Sequence, residues 1–138
     1  MPLTNSPVFP QGPRLATALC AAAVGNLTSD APAGAVLLVT AGPNGSLLTS
    51  LQAMPRATPT ANSLVLLHSA DGGATMRLID SEVMTGTTVN TTTAIAETQF
   101  PRYSESTPLR LGPNERLYVG TQVALAAGIV FKAEIADY

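Results

Sequence analysis

The chain reads as an all-β domain: an antiparallel β-sandwich, in the arrangement of a jelly roll, with an extended N-terminal arm. Three observations predict this. The apolar runs are short and end at Gly, Pro, Asn or Asp, several of them alternate apolar with polar residues, and no segment carries the 3.6-residue apolar stripe of an amphipathic helix. With 138 residues and a mass of 14.1 kDa, the length is that of one domain, which buries roughly 70% of the surface its unfolded chain exposes. The expected division is an arm over residues 1–13 and a single sandwich over residues 14–138.

In the arm, Pro2, Pro7, Pro10 and Pro13 surround Val8 and Phe9. Proline fixes φ, removes a donor and drives its predecessor to extended geometry, so this segment is neither helix nor central strand. The Ala-rich run from Leu15 to Val24 follows, and is read as a first buried strand. It makes a poor signal-peptide core, because only Arg14 precedes it as a basic residue and Thr17-Ala18-Leu19-Cys20 lacks the small residue expected before a lipoprotein-type cysteine.

Ala35 to Ala41 is apolar up to Gly42-Pro43-Asn44-Gly45, read as a hairpin turn. Ser46 to Met54 comes next, with Leu47 and Leu51 assigned to one face and Ser50 and Gln52 to the other, before Pro55 and Pro59 impose a loop. Leu64 to His68 forms another apolar run, closed by Asp71-Gly72-Gly73, and a strand begins near Thr75. The Thr-rich span Thr85 to Thr98 has high β-propensity without alternation, and fits either a long exposed crossover or an edge strand. In the last third, Leu109 and Leu111 flank Arg110; Leu117, Val119, Thr121, Val123 and Leu125 alternate with more polar or smaller residues; Ala126-Ala127-Gly128 turns the chain; and Ile129, Phe131, Ala133 and Ile135 face away from Lys132 and Glu134. This reads as a C-terminal hairpin.

Composition narrows the chemistry. The chain holds one Cys, one His and no Trp, and 12% of its residues are charged, about half the usual ~25%. Cys20 has no intrachain partner for a disulfide, and no Cys/His cluster offers a metal site. A net charge of −2 with basic residues spread singly from Arg14 to Lys132 argues against nucleic acid as a partner, which demands clustered cations. No run reaches the ~18 apolar residues of a membrane helix, so no membrane partner is expected, and no cofactor is implied. A polar but charge-poor surface suits packing against neighbours.

The candidate reactive groups are weak. His68, Ser69 and Asp71 are the one place where base, nucleophile and acid types meet, but adjacent strand residues point to opposite faces, so His68 and Ser69 diverge. Asp80 and Glu82 share a face of a regular strand, the minimum for a two-carboxylate site, and read as a solvated face because nothing supplies aromatic platforms for a sugar. The Gly42 to Ser46 segment lacks the lysine and helix of a phosphate loop. Cys20, among small apolar residues, reads as an inert buried thiol. The expectation is a protein that is not an enzyme.

Two stretches carry a resemblance: Val39-Thr40-Ala41-Gly42-Pro43-Asn44-Gly45-Ser46, and the ending from Leu117-Tyr118-Val119-Gly120-Thr121 through Ala126-Ala127-Gly128-Ile129-Val130-Phe131-Lys132-Ala133-Glu134 to Asp137-Tyr138. Together they resemble the jelly-roll capsid cement, or decoration, proteins of tailed bacteriophages, such as those on the Bordetella bacteriophage head. The resemblance implies a virion protein on the capsid exterior, assembled in the host cytoplasm, that bridges neighbouring major capsid proteins and associates with itself as a dimer or trimer. Many modest contacts repeated by symmetry would then stabilise the shell. The alternative is a phage fibre, tail or receptor-binding β-module that recognises carbohydrate. On the first reading Val8, Phe9, Pro10 and Arg14 form the protein interface, the apolar pair Val8-Phe9 acting as anchor on a proline-stiffened arm.

Overall fold

Nine strands organise the chain in a computed structural model that describes residues 9–138: β1 Gly12–Cys20, β2 Val36–Thr40, β3 Ser46–Pro55, β4 Asn62–Ser69, β5 Arg77–Met84, β6 Thr98–Gln99, β7 Leu109–Leu111, β8 Arg116–Thr121 and β9 Ile129–Asp137. No helix forms among the described residues. One sheet, sheet A, runs β1-β9-β3-β6, with β7 also on β3, and the other, sheet B, runs β2-β8-β4-β5. Every strand pair is antiparallel. Strand β7 lies against Ser46–Leu48 and β6 against Gln52–Ala53, so together they make one interrupted edge along β3.

The two sheets pack face to face as a β-sandwich, and the alternation of each strand supplies the layer between them. Ala16, Ala18 and Cys20 of β1, Leu48, Leu51 and Ala53 of β3, Leu64 and Leu66 of β4, Leu117 and Val119 of β8, and Ile129, Phe131, Ala133 and Ile135 of β9 form the main core with Phe100. Burying each large apolar side chain stabilises the fold by about 1.5–3 kcal/mol. Strand β4 is apolar on both faces because a second cluster covers its other side: Val65, Leu67 and Tyr118 pack with Val24, Leu27, Ala35 and Met76. The β1–β2 connection thus forms a lid on sheet B. Its path needs two glycines. A Cβ at Gly120 would collide with Val24, and Gly34, at φ +90°, would push one into the Ala23 carbonyl.

Several expectations need correction. The C-terminal strands exist, but they do not form a hairpin: β8 belongs to sheet B and β9 to sheet A. Strand β8 stops at Thr121, and Val123 and Leu125 lie in the loop 122–128, which arches between the sheets. Asn62 holds that arch. Its Oδ1 accepts from Gln122 N (3.0 Å) and Val123 N (2.9 Å), and its Nδ2 donates to Val123 O (3.2 Å). The Gly42-Pro43-Asn44-Gly45 turn likewise passes from β2 in sheet B to β3 in sheet A rather than closing a hairpin. Among the described residues, only β4–β5 joins two consecutive strands that pair with one another, around Asp71-Gly72-Gly73.

In β3 the register shifts between Leu48 and Ser50. The extra residue of this bulge turns Leu48 and Leu51 inward and leaves Leu47 half-buried, against the assignment of Leu47 to the apolar face. Strand β1 begins at Gly12 and ends at Cys20. It is an edge strand with one face exposed, not a buried strand reaching Val24, and an edge is where Pro13 is tolerated. The segment 85–97 has no regular structure and connects β5 of sheet B to β6 of sheet A, which makes it an exposed crossover.

Candidate interaction surface

Apolar groups reach the surface together on the outer face of sheet A, and also along β5 at Leu78, Ile79 and Val83; the former carries a groove. Cross-strand register sets Leu19 beside Val130 and Val130 beside Met54, an apolar row across three strands. Leu15, 61% exposed, stands on the same face of β1, and Ile95 of the crossover is also exposed. Met54, Pro55, Ile95 and Val130, with Gln52 and Lys132 at the rim, line a groove of about 440 Å³. The neighbouring row, Thr17, Lys132 and Gln52, is polar. With its amide nitrogen toward Glu97 at 3.1 Å, Gln52 bridges that carboxylate to Lys132, so Lys132 is balanced locally, while Arg56, which also lines the groove, is exposed. Desolvating such a face costs little, because few charges need to be stripped of water.

Of the four interface residues expected from sequence, Val8 lies outside the described residues. Phe9 is 67% exposed and Pro10 half-buried, and the arm is tied down just beyond them by Gln11 N donating to Asp137 O at 2.9 Å. Arg14 is engaged within the chain. Its Nε donates to Asp137 Oδ2 at 2.7 Å, and a terminal nitrogen donates to Thr40 O at 2.6 Å. Ser46 Oγ also donates to Asp137 and accepts from Gly42 N at 2.9 Å. The Arg14 guanidinium is the chief reason the Asp137 carboxyl sits below its ordinary range, with Ser46 adding to it.

The reactive types take separate partners. His68 Nε2 donates to Glu115 Oε2 at 2.8 Å, which lowers the Glu115 carboxyl below its usual range. Ser69 is buried and donates to Asp71 Oδ1 at 2.9 Å while accepting from Gly73 N. Asp71 is lowered first by the Thr75 amide and then by Ser69, as a turn-capping carboxylate is. Asp80 and Glu82 do share a face, opposite Leu66 and Leu64, but Asp80 is only 5% exposed and pairs with Arg102. The expected solvated face is therefore wrong for Asp80: the Ile79 bulge in β5 brings it under the edge, where burial and then the Asp80 charge push the Tyr103 hydroxyl up. Burial pushes the Cys20 thiol up to about 12, with its Sγ 3.6 Å from Val119 O. No group of three His, Cys, Asp or Glu side chains converges among the described residues.

Sequence reasoning missed the apolar row. The signal was present in β1, where small Ala16, Ala18 and Cys20 alternate with larger Leu15, Thr17 and Leu19, but which set faces outward depends on the partner sheet. Comparison with protein families, with curated proteins and with solved structures yields no match.

Proposed function

We propose that the chain is a non-enzymatic structural protein of a bacteriophage virion, binding the outside of the head and bridging neighbouring major capsid proteins. The observation that carries this reading is the outer face of sheet A, an apolar row beside a groove, with Arg56, Lys132 and Glu134 set around it; an apolar centre with charges kept to its margin is the arrangement found in protein interfaces. Strand order adds support. Counting β6 and β7 as one interrupted lane leaves eight lanes, and β1-β9-β3-β6/β7 over β2-β8-β4-β5 is the order of a jelly roll built from two Greek keys. That is the fold the resemblance to cement proteins implies.

The test is occupancy of undecorated phage heads by the purified protein, read by cryo-electron microscopy. The Met54→Glu, Ile95→Glu double variant places two charges on the groove and is expected to lose occupancy while keeping its circular dichroism spectrum. Deletion of residues 2–9, which leaves β1 whole, is expected to weaken binding through loss of Val8 and Phe9. Full occupancy by both variants would refute this assignment of the surface, and binding of the parent to host-surface glycan instead of heads would favour the receptor-binding reading.

A further inference from the structure

We infer that β1 is a self-pairing edge, through which two copies of the chain join their A sheets about a two-fold axis at Thr17. Among the described residues, strand β1 pairs with β9 on one side and with no strand on the other, so its outward N–H and C=O groups form an open template. The other edges carry devices that block pairing. Strand β2 has five residues and a register shift between Leu37 and Val39. Strand β5 is bulged at Ile79 and carries Arg77, Asp80 and Glu82. The β6/β7 edge is interrupted. From Leu15 to Cys20, β1 has no charge, no proline, no glycine and no register shift against β9.

The sequence of that edge is complementary to itself, which is what selects a second copy as the occupant. An antiparallel two-fold at Thr17 sets Leu15 of one copy opposite Leu19 of the other, and Thr17 opposite Thr17, all on the outer face. It sets Ala16 opposite Ala18 on the inner face, where small side chains let two sandwiches meet. Apolar and Thr–Thr cross-strand pairs are favourable ones, and a two-fold contact must match each residue with its reciprocal partner. The ladder has natural ends. Arg14 is held by Asp137 and Thr40 at one end, and Ala21 O is taken by Leu125 N at the other. Joining the sheets also extends the Met54–Val130–Leu19 row onto Leu15 of the second copy. This pairing stands apart from shell binding and requires no head protein.

An edge contact buries less than the ~800 Å² per partner of a stable complex, so association depends on concentration. Sedimentation velocity from micromolar to millimolar protein is expected to show a reversible monomer–dimer equilibrium. Thr17→Lys, which sets like charges opposite each other on the axis, is expected to raise the dissociation constant by roughly tenfold or more, whereas Val83→Lys on the β5 edge leaves it unchanged. Register is tested in a Cys20→Ser background. Thr17→Cys is expected to form a covalent dimer on mild oxidation, since opposed residues stand about 4.5–5.5 Å apart between Cα atoms. Leu15→Cys alone is not, because its copies lie about 13 Å apart. A chain that stays monomeric throughout, or a dimer that tolerates Thr17→Lys and is not trapped by Thr17→Cys, would overturn the proposal; so would trapping by Leu15→Cys alone.

Discussion

Asp137 ties four strands together at one corner of the sandwich. From β9 it holds Arg14 of β1 and Ser46 of β3, and Arg14 reaches on to the Thr40 carbonyl of β2. A carboxylate whose folded value lies below its unfolded one stabilises the fold above the unfolded value, and the contribution is lost as pH falls through the folded value. Asp137 and Glu115 are both lowered, so stability should decline as pH drops below about 4. Asp137→Asn is expected to cost about 1 kcal/mol at neutral pH, a modest figure because Arg14 is partly exposed, and the gap from the parent should close in acid. Urea midpoints at neutral and acid pH measure this; an equal gap at both would contradict it. At this scale the sequence was readable only where neighbours in the chain decide the outcome. Strand geometry alone separated His68 from Ser69. The partners Arg14–Asp137 and His68–Glu115 come from distant parts of the chain, so no spacing exposes them, and the place of Arg14 beside the arm gives no hint of its bond to Asp137.

Strand positions were legible because period-two alternation is local, yet the pairing of strands was not. Ile129 to Ile135 alternates in the same way whether β9 pairs with β8 or lies in the opposite sheet. What distinguishes a hairpin from an arch here is the buried Asn62, whose amide satisfies the backbone of loop 122–128 from the side. Asn62→Leu removes the acceptor of Val123 N, while Gln122 N keeps the Ser63 carbonyl at 2.9 Å, and is expected to destabilise by about 1–3 kcal/mol, the cost of one unsatisfied group. Asn62→Asp keeps Oδ1 as acceptor and, once protonated in acid, regains a donor toward the Val123 carbonyl, so in acid it should cost less than Asn62→Leu. Denaturant unfolding of the two variants in acid separates these outcomes, and equal losses would mean that the amide acceptor is not what holds the arch. The β3 bulge was hidden for a related reason: one added residue exchanges the faces of everything beyond it, and Leu47 and Leu48 are both leucine.

The architecture as a whole was the most readable level, since short alternating runs without a helical stripe leave few arrangements other than a sandwich. The lid of residues 21–35 over Val65 and Leu67 was not visible, although a strand apolar on both faces is its signature in β4. The surface proposed to act was only half visible, through scarcity of charge rather than through the residues that form it. Pairing is strongly non-local, with Gly12 opposite Asp137 and Val36 opposite Val119. Such topologies fold in about milliseconds to seconds, and stopped-flow refolding is expected to fall in that range; microsecond refolding would contradict the deduced dependence on distant pairings.

Strand β9 sits between β1 and β3, and β1 has no other strand neighbour among the described residues. On the ribosome, then, residues 12–20 are made early and wait for residues 129–137, the length of nearly the whole domain. During that interval sheet B can assemble its β4–β5 pair, while the Leu15 to Cys20 segment stays without a partner in its own chain. When many copies are made at once, the nascent chain therefore carries its uncovered Leu15 to Cys20 stretch for most of its synthesis before β9 can cover one side of it, and synthesis rate becomes a determinant of yield.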